Sequence, residues 1–213
     1  MPDIMMLLVE AKPIASVLHY FAFAIGIGTA SFCDVFVLKL MARRRVRKQA
    51  VATIYLAHKV LLGSLVVIWV TGLLHLVRLA ETDPEGLENP KLWAKIIIFA
   101  VVSVNGLVIQ KWCLPWLHRR MGQALLAGTS WTARVGFAST GAISATSWFF
   151  VLALGALEVI NHVTPLPALM AVYAVCLAGA FVVSSLMIFR GARLIRPVGR
   201  PMRAAVADSS PST

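Results

Sequence analysis

Charge is scarce in this sequence. Only 14% of its residues are Asp, Glu, Lys or Arg, and nine of the 213 are acidic. A soluble domain of that length covers itself with far more polar surface, so a water-exposed globule is excluded. The carboxylates are also scattered, with four of them between Glu81 and Glu88, which excludes paired-carboxylate catalysis. Cysteine is scarcer still, at three residues. Cys33, Cys113 and Cys176 have neither zinc nor disulfide spacing and read as small helix-packing residues. Nucleophile elbow, phosphate loop and zinc signature are all missing. There is no internal repeat and no room for a second domain. Any chemistry must therefore be done by a cofactor inside a helical bundle.

What is present is apolar. Hydrophobic residues make up 59% of the chain, and its mean hydropathy is +0.82. They fall into five blocks, about 13–41, 51–80, 91–117, 133–160 and 166–190. Each exceeds the ~20 residues with which a helix crosses a bilayer. The expected fold is an all-α integral membrane bundle of five transmembrane helices, preceded by a short segment, 1–12, and followed by a basic tail, 191–213. Pro13 suits a first helical turn and marks the expected start of the first span. Upstream of it, Ile4 to Val9 reads as a short interfacial helix or a frayed extension. The small polar residues Ala204 to Thr213 read as disordered. A cleaved signal peptide is not expected, because Asp3 and Glu10 stand where a signal would be positive.

The connections sort by charge. The first holds Arg43, Arg44, Arg45, Arg47 and Lys48; the third holds Arg119, Arg120 and Arg134; the tail holds Arg190, Arg193, Arg196, Arg200 and Arg203. The second carries Glu81, Asp83, Glu85 and Glu88 against Lys91, and the fourth carries Glu158. Short positive loops stay in the cytoplasm, which puts the N-terminus outside and the C-terminus inside. The net charge of +11 then belongs to loops that orient the chain and meet anionic lipid, and nucleic acid is not an expected partner. Trp93, Trp112 and Trp116 near span ends fit interfacial anchors. The expected location is a bacterial inner (cytoplasmic) membrane.

Ionisable groups inside a span are costly and mark candidate sites. On this topology His19, His75 and Lys95 share one outer layer. Asp34, His58, Lys59, Gln110 and Lys111 share an inner one, while His118 and His162 fall at interfaces. Steps of three and four from His19 give Ala22, Gly26, Ala30, Cys33 and Asp34, a small-residue face that a helix or a flat cofactor can approach. Gly136, Thr140, Ser144 and Trp148 form a similar row in the fourth span. Simple helix packing accounts for both rows as well.

Two imidazoles from neighbouring helices are a normal axial pair for a b-type haem. Arg78, one turn past His75, suits a propionate, and Lys95 suits either a propionate or the iron. The same histidines are also accounted for by hydrogen bonds to helix carbonyls, to Ser or Thr hydroxyls, or to each other. Asp34 needs a partner, and His58 is the nearest in depth, as a proton-linked pair or a structural bridge; Lys39 and Lys59 are alternatives.

Several strings together carry a resemblance. They are Leu18-His19-Tyr20 with Gly26, Gly28 and Asp34; Thr71-Gly72-Leu73; Pro90-Lys91-Leu92-Trp93-Ala94-Lys95 leading to Asn105-Gly106; and Gly141-Ala142-Ile143-Ser144 with Ser147-Trp148. They resemble a group of uncharacterised bacterial multi-helix membrane proteins, over about four of the five helices. That group is similar in pattern to copper-resistance D-type proteins and to haem-binding, membrane-bound protoporphyrinogen oxidases. In the oxidases a first-helix histidine and a later lysine matter, and His19 and Lys95 occupy comparable places. The chain departs from the oxidases in its fifth helix and around its second, so the oxidase activity is not carried over.

Three functions follow as expectations. The first is a b-haem redox protein relaying electrons between a quinone pool and an outer partner, with His19, His75, Lys95 and Arg78 at its site. The second is an accessory subunit of a larger membrane complex or a homo-oligomer. The third is transport of copper or another small solute, using Met5, Met6, His19 and Cys33, although no methionine or cysteine row lines a path.

Overall fold

The computed structural model describes residues 2–41, 43, 45–157, 159 and 163–194, with side chains described from residue 12 to residue 190 within those ranges. Arg44, Glu158, His162 and the tail from Arg196 onward lie outside the described residues, as do the side chains of Met5, Met6, Glu10 and Arg193. Five long helices account for nearly all of the described chain. They are α1 (Pro2–Met41), α2 (Lys48–Thr82), α3 (Pro90–Arg119), α4 (Trp131–Ala156) and α5 (Leu166–Leu194). Each contains a stretch long and apolar enough to cross a membrane. This is the make-up of a multi-pass membrane protein.

The helix ends follow local chemistry. A 3₁₀ turn, Pro84–Glu88, links α2 to α3. Asn89 then caps α3 by accepting from Lys91 N at 3.1 Å, with Pro90 in the first turn, where its missing N–H costs nothing. Ser130 caps α4 through Ala133 N at 3.3 Å. Between α3 and α4, Gly122 (φ +80°) and Gly128 (φ +62°) occupy left-handed conformations that favour glycine. This loop is tied to the α1–α2 connection: Val46 N–H donates to Gln123 O at 2.8 Å and Gly122 N–H to Val46 O at 2.9 Å.

The first helix begins before Pro13, which fits the reading of an extension upstream of it. α1 runs through it from Pro2. Proline removes only one hydrogen bond of the ladder there, and the apolar run beyond it keeps the flanking backbone bonded to itself. α4 ends at Ala156, four residues earlier than the apolar block suggested.

α4 is the central helix, packing on α1, α3 and α5, while α1 lies along α2. Its buried residues are mostly small: Ala138, Thr140, Ala142, Ser144 and Ser147. Small side chains let helix backbones approach closely where no hydrophobic effect drives association. Leu154 and Trp148 are the exceptions, and Trp148 is the larger. It is 1% exposed and wedged between Phe23 of α1, at 5.5 Å between ring centroids, and Phe99 of α3, at 6.0 Å and perpendicular. Polar contacts fix the register around α4. Asn105 Nδ2 donates to Thr140 O at 2.9 Å, and Ser147 Oγ and Tyr173 Oη share a bond of 2.9 Å. The buried Lys91 ammonium donates to Leu157 O at 2.6 Å, capping the carbonyl end of α4 with positive charge. Large apolar side chains cover the outside instead, Val66, Val70, Leu73, Val175 and Val182 among them.

Candidate functional site

The bundle has an acidic end, at the α2–α3 connection, and a basic end, where the α1–α2 and α3–α4 connections meet. A polar constellation sits near each.

At the acidic end His19 of α1 faces α2. Its Nδ1 lies 2.8 Å from Thr71 Oγ1, and Thr71 Oγ1 lies 2.7 Å from Val67 O, a carbonyl that can only accept. A hydroxyl has one hydrogen. Thr71 gives it to Val67 O, so in the His19 bond Thr71 accepts and Nδ1 carries the proton. Neutral His19 is then the tautomer with a free lone pair on Nε2. This is the bond to a threonine hydroxyl that the sequence reading held open, and it leaves the other nitrogen available. Gly72 leaves room beside the ring: a Cβ there would lie at ordinary contact distance, 3.6 Å, from His19 Cε1.

His75, one turn after Thr71, brings its ring to 5.6 Å from His19, near-perpendicular at 78°. Lys95 of α3 is half-buried at the same end. Arg78 follows His75 by three residues on α2, and its Nε is buried without a hydrogen-bond partner. The structure thus brings His19, His75 and Lys95 from three helices to one level, with Arg78 beside them. The described carboxylates of this end, Glu81, Asp83, Glu85 and Glu88, are all exposed in the connection.

This donor set suits some groups and not others. Among the described residues no cluster of three or more His, Cys, Asp or Glu side chains could hold a metal ion. A bare transition metal needs about four donors from the protein. A haem brings four nitrogens of its own and asks for one or two axial ligands plus a cation for its propionates. Two imidazoles, an amine and a buried guanidinium nitrogen without a partner match that demand.

Towards the basic end, all five helices line a cavity of about 430 Å³. Asp34 and His58 both face it, as do Cys33 and Cys113. Asp34 and His58 therefore share one space, but His58 Nε2 is buried with no hydrogen-bond partner. The remaining members of the inner layer separate from them: Lys59, Gln110 and Lys111 are exposed on the outside of the bundle. Lys39 and His118 are exposed as well.

A π turn at Ile109–Cys113 in α3 was missing from the sequence reading. Leu114 N–H reaches back five residues to Ile109 O. Its signal was Pro115, which has no N–H to continue the α-helical ladder and whose ring crowds the preceding turn. The extra residue rotates Cys113 into the cavity wall, where its Sγ lies 3.8 Å from Thr140 Oγ1.

No protein-family model, curated protein or solved structure matches this chain.

Proposed function

We propose that this chain is a multi-pass protein of a bacterial cytoplasmic membrane that holds a b-type haem at its acidic end and passes single electrons. The acidic end faces outwards and the basic end the cytoplasm. Supporting that orientation, Arg43, Arg45, Arg47 and Lys48 lie in one short connection and Glu81, Asp83, Glu85 and Glu88 in the next.

The observation that carries the reading is the 2.8 Å bond between His19 Nδ1 and Thr71 Oγ1. With its own hydrogen on Val67 O, Thr71 would accept from Nδ1–H and leave Nε2 with the lone pair, as outer-shell partners do for metal-ligating histidines. His75 or Lys95 serves as the second donor. Arg78 offers a fixed guanidinium to a propionate, which would give its buried Nε a partner. When bound, the haem supplies the one-electron chemistry. The chain's own part would be to present His19 with His75 or Lys95 to the iron, keep water away with the surrounding apolar residues and place the site near the outer surface, within reach of an extracytoplasmic partner.

The test is an absorption spectrum of the purified protein after expression with ample haem. A Soret band and reduced-minus-oxidised α and β bands are expected, with the Soret lost in His19→Ala. Loss in only one of His75→Ala and Lys95→Ala identifies the second ligand. A folded wild-type protein with no Soret band refutes the proposal.

A further inference from the structure

The cavity towards the basic end plays no part in that reading. Its volume of about 430 Å³ is within the range of small-molecule pockets, roughly 300–1,000 Å³. Most of its wall is apolar, with Ala30, Ile54, Leu61 and Ile109 among the lining residues. Its polar groups fall on two sides. Asp34 and His58 come from the paired helices α1 and α2. Thr140, Ser144 and Ser184 come from the paired helices α4 and α5.

His58 limits what the cavity can hold. The residue is 5% exposed, it lines the cavity, and its Nε2 has no partner. That nitrogen is itself shielded from the empty space, so the ring must turn to present it to a ligand; a buried polar atom left without a partner is unfavourable, and an occupant with a hydrogen-bonding group is favoured over a plain acyl chain. A metal ion does not suit the donors, because Asp34, His58, Cys33 and Cys113 form no three-donor group. A strongly polar solute does not suit the apolar wall. What remains is a ligand with an apolar ring and a polar atom at each of two opposite edges.

We propose that this cavity is a quinone-binding site. One ring oxygen meets Asp34 and His58, and the other meets the hydroxyls of α4 and α5. Thr140 Oγ1 already donates to Phe137 O at 3.1 Å, so towards a ligand it acts as an acceptor, which suits the hydroxyl of a quinol. The isoprenoid tail leaves through the apolar wall into the bilayer. The site stands on the cavity and the unpartnered imidazole, independently of any haem at the other end.

The test is isothermal titration of the full-length protein in nanodiscs with decylubiquinone, whose ring is fully substituted and does not alkylate thiols. Saturable one-to-one binding is expected. His58→Leu and Ser184→Leu, one from each wall, should each weaken it at least tenfold. Decylbenzene, with the same tail and no oxygens, should also bind at least tenfold more weakly. Absence of saturable binding to the wild type overturns the proposal. So does unchanged affinity in either variant that folds. Equal affinity for decylbenzene would show an acyl-chain slot and overturns it even if neither variant folds. These readouts do not depend on a Soret band, so this site and the haem site can fail separately.

Discussion

Replacing Gly26 by alanine adds one methyl group at the most crowded point of the bundle. The new Cβ would sit 2.9 Å from both Trp148 Cζ3 and Ser64 Oγ, and closer still to Trp148 Cη2. Ordinary contact begins near 3.4 Å. The ring must therefore give by about half an ångström or more, and overpacking of that kind costs about 1–3 kcal/mol. Neither neighbour retreats easily. Trp148 is held by Phe23 and Phe99, and the Ser64 hydroxyl is bonded to Leu61 O at 2.7 Å.

In water a helical Gly→Ala change would recover about 0.5–1 kcal/mol of backbone entropy. In a membrane the separated helices are already helical, so that gain is absent and the full cost should appear. The assay is reversible unfolding in mixed SDS and dodecylmaltoside micelles, with Gly28→Ala as control. Gly28 lies two residues along the same helix with nothing within 4 Å of its would-be Cβ, so it should stay within about 0.5 kcal/mol of wild type. Trp148→Phe removes the six-membered part of the indole that meets the methyl group, so the double mutant should show a favourable coupling of about 1–2 kcal/mol. Gly26→Ala behaving like Gly28→Ala, or a coupling of zero, would refute this account of the α1–α4 contact. The same comparison applies at Gly136, whose Cβ would lie 2.8 Å from Trp112 Cζ3. Trp112 is 38% exposed and, among the described residues, stacks on Phe137 alone, so it is held on fewer sides than Trp148 and the cost there should fall below about 1 kcal/mol.

Thr71→Val leaves His19 Nδ1–H without its acceptor. It should destabilise the bundle by about 1–3 kcal/mol and, if the proposed haem is bound, reduce its retention by about 10–100-fold, whereas Thr71→Ser keeps both near wild type. Indistinguishable Val and Ser variants would remove the tautomer argument. For topology, a cysteine in place of Glu85 should react with an impermeant maleimide in intact cells, and one in place of Arg47 only after permeabilisation. The opposite pattern would invert the orientation.

Much of this architecture is legible without coordinates. The apolar blocks are long enough for hydrocarbon, and backbone groups with no water to bond must bond within a helix. Five helices follow from those two facts. The small-residue faces of the first and fourth spans were legible too. Ala22, Gly26 and Ala30 are buried, as are Thr140, Ser144 and Trp148, because a 3.6-residue period identifies a face.

Depth along a helix is likewise set by residue count, but which group meets which is not. His58 and Lys59 are at one depth, yet a rotation of one residue puts His58 in the cavity and Lys59 outside. Asp34 and His58 share a space because α1 lies along α2, which depth alone could not show. The π turn adds a rotation that the α-helical period does not contain, and it decides where Cys113 points while Gln110 and Lys111 stay exposed. The free nitrogen of His19 depends on a hydroxyl 52 residues away whose own proton is taken by its helix. Local sequence sets each helix and its faces. Only the packing of the five against one another decides which lone pairs and protons are left over, because a hydrogen donated to one acceptor is withdrawn from every other.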